Sequence, residues 1–165
     1  MKYLDEADVY IPRFYQFLPF FVGFDKVYEI GVGVGYFLYM LRNVLGIDAE
    51  GCDVDIQRKV VYREMRAALG LEPYTHQFKV QAGRELPIGP GVQALCAFYT
   101  VFNYDWRVAQ HEWFLKECRQ KLTGPRTVIL RLNPHGFTDR PEVFEFYKAR
   151  ADFPLRDEGF CILDA

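Results

Sequence analysis

The sequence has few of the residues that build metal sites and disulfide frameworks. It contains three histidines and four cysteines in 165 residues, and no two cysteines form a C-x-x-C pair. The histidines are scattered without metal-ligand spacing, so no metal is expected. Three of the cysteines lie in apolar, strand-like runs, which predicts reduced thiols in the core of a cytoplasmic protein.

An excess of charge and long apolar runs are also missing. The 20 basic and 22 acidic residues leave a net charge of −2, so no overall attraction to nucleic acid or to an anionic membrane is expected. Asp5, Glu6 and Asp8 stand where a secretory signal needs a basic start. The aromatic run 14–24 is interrupted by polar residues and proline, and is shorter than the ~20 residues that cross a bilayer. The sequence therefore predicts neither export nor membrane insertion.

What the sequence does contain is an alternation of strand-like and helix-like segments. Half of the residues are hydrophobic and 17% are aromatic, which is enough to bury the core of one domain. The predicted strands cover residues 27–30, 47–53, 76–81, 92–99, 127–132 and 159–163. The predicted helices cover residues 12–23, 37–45, 55–69, 107–122 and 141–151. This order indicates an open, mostly parallel, twisted α/β sheet with helices on both faces.

Proline and polar residues mark the ends of the first and last helices. Pro12 is expected in the first turn of an aromatic helix that packs on the sheet or caps a pocket. Asp139 and Glu142 resemble a capping box, with Pro141 in the first helical turn. We expect a single domain over residues 1–165. It comprises an N-terminal lead-in and aromatic helix (1–24), a ligand-binding core (25–133) and a C-terminal helix and strand (134–165).

A glycine-rich turn follows the first predicted strand. Gly31, Gly33 and Gly35 occupy alternate positions between that strand and the next helix. Glycine lets the backbone bend tightly and approach a ligand closely, and the start of a helix presents free N–H groups. The pattern is typical of a nucleotide-type cradle. A tight turn without a ligand is the alternative, although three alternating glycines would then cost backbone entropy without a packing reason.

The spacing of the glycines separates two kinds of nucleotide site. A dinucleotide fingerprint, G-x-G-x-x-G, would require glycine at the position of Tyr36, and the third glycine falls one place early. Both kinds of site need an acidic residue about 20 positions further on, because an adenosine ribose needs a carboxylate across its two hydroxyls. Asp53 and Asp55 stand 18 and 20 positions after Gly35. Asp55 is favoured as a helix cap, which leaves Asp53 for the ribose.

Together these residues resemble the class I methyltransferases that use S-adenosylmethionine. The likeness covers roughly residues 14–133. It rests on Glu29-x-Gly31-x-Gly33-x-Gly35, on Gly51-Cys52-Asp53 after it, and on Glu85-Leu86-Pro87 before a buried fourth strand. The resemblance implies a Rossmann-like methyltransferase fold with a shortened C-terminal part. It also implies S-adenosylmethionine as cofactor and in-line methyl transfer to a substrate.

The resemblance further implies roles for individual residues. The glycine turn would contact the amino-acid part of the cofactor, and Glu29 would support its ammonium group indirectly. Asp53 would bind both ribose hydroxyls, and Val54 would pack on the adenine. The implied cofactor-binding residues are Glu29, Gly31, Gly33, Gly35, Asp53, Val54, Gly83, Arg84, Tyr99 and Thr100. Of these, Gly83 and Arg84 would border the adenine edge, and the last two would lie beside the methionine portion.

The sequence departs from the family at three strand ends. The third strand ends in Gln81-Ala82-Gly83, where many members carry an acid, which weakens the predicted adenine contact. Residues 98–101 lack the Asn/Asp-Pro-Pro-aromatic run of enzymes that methylate amino groups of nucleic acids. Leu132-Asn133 lacks the acid of metal-dependent catechol-type members. A role in adenine methylation is therefore disfavoured and no metal is predicted. The near-neutral net charge and the aromatic residues near the predicted pocket favour a small-molecule substrate, and nucleic acid is not indicated.

Three residues on the predicted substrate side are candidates for catalysis. Tyr104 and Asp105 follow the fourth strand, and His135 follows the fifth, where a near-neutral pKa would suit a general base. Each is equally compatible with an ordinary loop. His111 lies on the apolar stripe of its helix and is expected to pack in the core, and His76 is expected at the surface.

Two further functions fit the same residues. A non-catalytic binding or scaffold protein would retain the cofactor fold, and the short stretch after Asn133 motivates it because little chain is left for a substrate lid. A nicotinamide-dependent oxidoreductase is disfavoured by the glycine spacing. The substrate is not readable from the sequence, which is also compatible with a homo-oligomer.

Overall fold

The computed structural model of the chain describes residues 7–54, 60–98, 105–132, 137–151 and 159–165. The strands are β1 (Lys26–Ile30), β2 (Asp48–Asp53), β3 (Thr75–Gln77), β4 (Ala94–Phe98), β5 (Thr127–Arg131) and β6 (Phe160–Asp164). The α-helices are α1 (Ala7–Tyr15), α2 (Tyr36–Asn43), α3 (Val60–Ala68), α4 (Val108–Lys121) and α5 (Pro141–Lys148). Two short 3₁₀ helices cover Leu18–Phe21 and Glu72–Tyr74.

The strands form one sheet in the order β3-β2-β1-β4-β5-β6. The first five strands run parallel to their neighbours, and β6 runs antiparallel to β5. The predicted open, mostly parallel α/β sheet is therefore confirmed. Because the chain leaves β1 toward β2 on one side and later returns to β4 on the other, the strand order reverses at β1. The carboxyl end of β1 is where such sheets bind ligands.

Apolar side chains from both faces of the sheet build two cores. All five residues of β4 are buried, as expected of a strand covered on both faces. Neighbouring residues of β1 point to opposite faces, because side chains alternate along a strand. Val27 packs in the core that contains Leu41 of α2, whereas Tyr28 packs in the core that contains Phe114 of α4 and Phe146 of α5. The prediction of helices on both faces is confirmed.

The aromatic N-terminal segment packs on the sheet. Pro19 predicted a kink or stop in this aromatic helix, and the segment is divided into α1 and the 3₁₀ helix that contains Pro19 in its first turn. The ring of Phe17 stacks on that of Phe98 with centroids 4.6 Å apart, and on that of Phe160 at 5.2 Å. Phe21 is fully buried in the same core. These contacts show that the segment packs on the sheet, which is one of the two roles predicted for it.

Several element ends differ from the predictions, and three of the differences concern a proline, a helix cap and the third strand. Helix α1 begins at Ala7, so Pro12 lies inside it and not in its first turn. Helix α5 has Arg140 at its N-cap without a side-chain cap, because the Asp139 carboxylate instead accepts a hydrogen bond from Arg140 Nε at 3.1 Å. The third strand ends at Gln77, since its partner β2 ends at the residue paired with it.

The four cysteines are buried and free. Burial raises the pKa of Cys52 and of Cys161 to about 12, so these thiols stay protonated at neutral pH. In the described part of the chain, no cluster of three or more histidine, cysteine and acidic side chains could hold a metal. No helix within the described ranges is long and apolar enough to cross a bilayer.

We predict that Gly51→Ala destabilises the fold by about 2 to 3 kcal/mol, the usual cost of overpacking. A Cβ at Gly51 would lie 2.4 Å from the carbonyl oxygen of Glu29 and 2.7 Å from Val32 Cγ2. Urea unfolding measures the change in free energy of unfolding. Gly46→Ala is the control. It has a φ of +69° with no atom within 4 Å of the new Cβ, so it should cost only the ~1 kcal/mol of left-handed backbone strain. Equal costs for the two variants would contradict the steric explanation.

Candidate functional site

The glycine turn follows the carboxyl end of β1. Gly31, Gly33 and Gly35 each have the left-handed backbone conformation that favours glycine. The φ angles of Gly31, Gly33 and Gly35 are +84°, +57° and +94°, a region that glycine adopts without a Cβ penalty. The turn is anchored to β2, because the N–H groups of Gly31 and Val32 donate to the Cys52 carbonyl oxygen at 2.7 and 3.2 Å. The predicted tight turn therefore lies directly beside the end of the second strand.

Asp53 is the last residue of β2, and its side chain contacts this turn. Its Oδ2 accepts a hydrogen bond from the Gly33 N–H at 2.6 Å, and its Oδ1 accepts one from the Val54 N–H at 2.6 Å. The side chain remains 16% exposed. A carboxylate has about four acceptor positions, so two remain for a ligand. The structure thus brings together the glycines and the acid that the sequence analysis grouped by spacing.

Glu29 places a second carboxyl group beneath the turn. It is 3% exposed, and its Oε2 has no hydrogen-bond partner among the described residues. Burial and the neighbouring Asp53 raise its pKa well above the ordinary value, while a hydrogen bond to the Leu38 backbone lowers it. An orphaned buried carboxyl oxygen is costly, and a ligand cation nearby would reduce that cost. The site is therefore suited to a positively charged group.

Arg66, a residue that the sequence analysis did not single out, is the third charged group of the site. It lies on α3, is 2% exposed, and places its Nη1 3.9 Å from Asp53 Oδ2. Burial lowers its pKa and the Asp53 charge raises it. Arg66 shares one helix stripe with Tyr62 and Leu69, at i, i+4 and i+7. This spacing places Arg66 on one face of its helix, but it does not indicate that a charged side chain is buried there.

The predicted adenine side is an open surface beyond Asp53. Val54 is 43% exposed. The backbone N–H of Phe78 donates to the Asp53 carbonyl oxygen at 3.0 Å, and the Arg84 guanidinium carbon lies 4.2 Å from the centroid of the Phe78 ring. Gly83 has a φ of +82° with open space around it. Phe78 is thus a second residue, besides Arg66, that sequence reasoning did not assign to the site.

Several predicted site residues lie outside the described part of the chain. These are Asp55, Tyr99, Thr100, Tyr104 and His135. Asp105 is described and is exposed. Its neighbour Trp106 is buried and packs edge-on against His111 and Trp113, so this tryptophan belongs to the core.

The two described histidines behave as predicted. His111 is fully buried, and its Nδ1 lies 2.8 Å from the Tyr147 hydroxyl. Burial, with a contribution from Arg140, lowers the pKa of His111 to about 4, so it is neutral at physiological pH. His76 is exposed, and its Nε2 lies 3.4 Å from Glu50 Oε2.

Comparison with solved structures identifies the fold. No family model matches the sequence, and no curated protein matches it. A protein of Methanococcus maripaludis, described as a candidate S-adenosyl-L-methionine-dependent methyltransferase, matches with a TM-score of 0.63 and 16% identity. The match covers 99% of this chain and 90% of that one. The CcbJ methyltransferase of Streptomyces caelestis matches with a TM-score of 0.56 and 19% identity, over 74% and 49% of the two chains.

A third structure concerns the conversion of a disulfide bond into a thioacetal group during echinomycin biosynthesis. It matches with a TM-score of 0.55 and 13% identity, over 72% of this chain and 48% of that one. The chain therefore spans about half the length of two of these three neighbours. At these identities the likeness establishes the fold. The protein has the Rossmann-like fold of the S-adenosylmethionine-dependent methyltransferases, as the resemblance in its sequence implied.

We predict that Glu29→Gln changes how the stability of the ligand-free protein depends on pH. Because the folded-state pKa of Glu29 lies above its ordinary value of 4.5, the folded protein keeps a proton that the unfolded chain loses. Stability therefore falls as pH rises above about 4.5, by about 1.4 kcal/mol per pH unit until the group ionises in the folded state. The variant should lack this loss.

Urea unfolding at about pH 5 and about pH 8 measures the difference. The stability of Glu29→Gln relative to the parent protein should increase between the two values. Glu145→Gln is the control, since the Glu145 side chain is 72% exposed and should show no such trend. Parallel pH profiles for Glu29→Gln and the parent would show that Glu29 is ionised throughout.

Proposed function

We propose that this protein is an S-adenosylmethionine-dependent methyltransferase that acts on a small molecule. The observation that carries the proposal is the contact between the Gly33 N–H and the Asp53 carboxylate, 2.6 Å apart. It joins the end of β2 to a turn whose third glycine comes too early for a dinucleotide fingerprint. The shared methyltransferase fold supports the activity, and the echinomycin-related neighbour supports a small-molecule substrate.

The residues of the site fit the cofactor in charge and shape. The left-handed glycines leave the turn without Cβ atoms, so a ligand can approach its backbone. Glu29 keeps its proton in the ligand-free protein, and an amino-acid ammonium group bound near its orphaned oxygen would favour the ionised form and pair with it. Asp53 retains two acceptor positions, the number that the two hydroxyls of a ribose require. When bound, the cofactor supplies a methyl group activated by its positively charged sulfur.

The chain's own contribution is to bind and orient. Asp53 holds the ribose, Val54 offers an exposed apolar surface to the adenine, and Arg84 with Phe78 borders it. Gly31, Gly33 and Gly35 would line the methionine portion of the cofactor. In the proposal, Tyr99 and Thr100 share this role. Holding two reactants in line is itself a large part of the rate enhancement in such reactions, so a dedicated base is not demanded. Tyr104, Asp105 and His135 remain the candidates for one.

Calorimetric titration with S-adenosylhomocysteine and with NAD separates the proposed function from its alternatives. The proposal expects heat with S-adenosylhomocysteine and none with NAD, and the opposite result would favour an oxidoreductase. Methyl transfer from S-adenosylmethionine to any member of a small-molecule panel would exclude a purely non-catalytic scaffold. Absence of any binding to S-adenosylhomocysteine would refute the proposal.

We predict that Asp53→Asn weakens S-adenosylhomocysteine binding at least about 100-fold. The substitution removes the charge behind two hydrogen bonds to the ribose, and a hydrogen bond to a charged group contributes about 1.5 to 3 kcal/mol. Asparagine keeps the volume of the side chain, so the folded structure should persist, as far-ultraviolet circular dichroism can check.

Asp48→Asn is the matched control for this prediction. Asp48 begins the same strand, and its side chain is 64% exposed beside Arg42 and Lys26. It lies at the opposite end of β2 from the site, so its replacement should leave the affinity unchanged. Similar affinities for the Asp53 variant and this control would refute the assignment of the ribose to Asp53.

A further inference from the structure

Arg66 is a buried cation whose contacts do not account for its burial. Neither Nη1 nor Nη2 donates a hydrogen bond to any residue of the described part of the chain. The only ion pair of its guanidinium within these residues is with Asp53, at 3.9 Å. Taking a guanidinium out of water without hydrogen bonds is unfavourable. Such an arrangement persists where the charge serves a purpose.

Gly35 in the glycine turn leaves the space that the Arg66 side chain occupies. A Cβ at Gly35 would lie 3.3 Å from Arg66 Cγ and 2.6 Å from Leu71 Cδ1. The stem of Arg66 therefore lies against the backbone of Gly35, where any larger residue would collide with its surroundings. Gly35, the N-cap residue of α2, thus leaves room for the Arg66 side chain to extend to Asp53.

The charges that act on Arg66 come from two neighbouring elements. Asp53 on β2 is one of them, and its charge also contributes to the raised pKa of Glu29 on β1. Glu72, in the 3₁₀ helix after α3, also acts on Arg66. Within the described ranges, Arg66 is the buried cation that lies beside Asp53. Without it, Asp53 would lose its one described ion pair.

We propose that Arg66 is a positioning residue for the ribose. Its charge, 3.9 Å from Asp53 Oδ2, holds the Asp53 carboxylate against the glycine turn, so that the two free acceptor positions of Asp53 face a diol. Both terminal nitrogens of Arg66 are buried, so Arg66 acts through Asp53 and does not touch the ligand. This inference rests on the proposed function. It implies that Arg66 is responsible for the preference of the site for a ribose over a deoxyribose.

The test compares two ligands in two proteins. Calorimetry measures the affinity for S-adenosylhomocysteine and for its 2′-deoxy analogue, in the parent protein and in Arg66→Met. The parent should prefer the ribose ligand by about tenfold or more, the size of one hydrogen bond to a charged group. In Arg66→Met this preference should fall below about threefold, because S-adenosylhomocysteine loses two positioned hydrogen bonds and the deoxy analogue, which keeps the 3′-hydroxyl, loses only one. A merely structural role would weaken both ligands equally.

Matched variants make the result decisive. Arg63→Met, an exposed position on the same helix, should keep the parent's preference. If Arg66→Met does not fold, as thermal unfolding would show, the same comparison in Arg66→Gln decides, because glutamine keeps a polar head without the charge. Equal weakening of both ligands, an unchanged preference, or tighter binding of S-adenosylhomocysteine would each overturn the inference. Failure of the parent to bind either ligand would instead refute the proposed function, and with it the role of Arg66.

Discussion

The close approach of the β1–α2 turn to the end of β2 is the constraint on which the site depends. The Gly33 N–H donates to Asp53 Oδ2 at 2.6 Å where β2 pairs with β1. Gly51 fits this pairing because a side chain there would collide with the backbone of Glu29. A residue without a side chain on the second strand thus permits the strand pairing that leads to the carboxylate.

Charge in the site is concentrated in groups that are otherwise rare inside proteins. Glu29 and Arg66 are each at most 3% exposed, and each has a polar atom without a hydrogen-bond partner in the described ranges. Natural proteins break the rule of satisfied buried polar groups mainly at functional sites. The glycines add a second such departure, because three left-handed residues in five are expensive in a turn that only connects two elements. Both departures occur at the same sheet edge.

The rest of the molecule supplies a rigid frame for this edge. Phe17 stacks against Phe98, the last residue of β4, and Phe37 packs edge-on against the same ring with centroids 4.8 Å apart. On the opposite face, His111 and Tyr147 form a buried polar pair between helices that follow β4 and β5. Aromatic side chains therefore pack on the sheet from both of its faces. A site that must align two reactants benefits from such support.

Local pattern was enough to predict most of the elements. The continuous apolar run of β4, the helical stripe of α4 and the glycine turn are each specified by residues close together in the chain, where hydrophobic periodicity and backbone preference act. The pairing of Asp53 with the turn was also predictable, because strand ends of a parallel sheet meet at one edge. What periodicity could not predict are side chains whose partners are distant in sequence or are charged.

The burial of Arg66 shows why tertiary structure was needed. Its charge marks it as a surface residue by composition, and its burial depends on the space beside Gly35 and on the charge of Asp53, neither of which is a local property. The sequence by itself determined the order of elements, the glycine turn and the acid that faces it. Only the tertiary structure decided the balance of buried charge around that acid, because electrostatic partners are chosen by proximity in space.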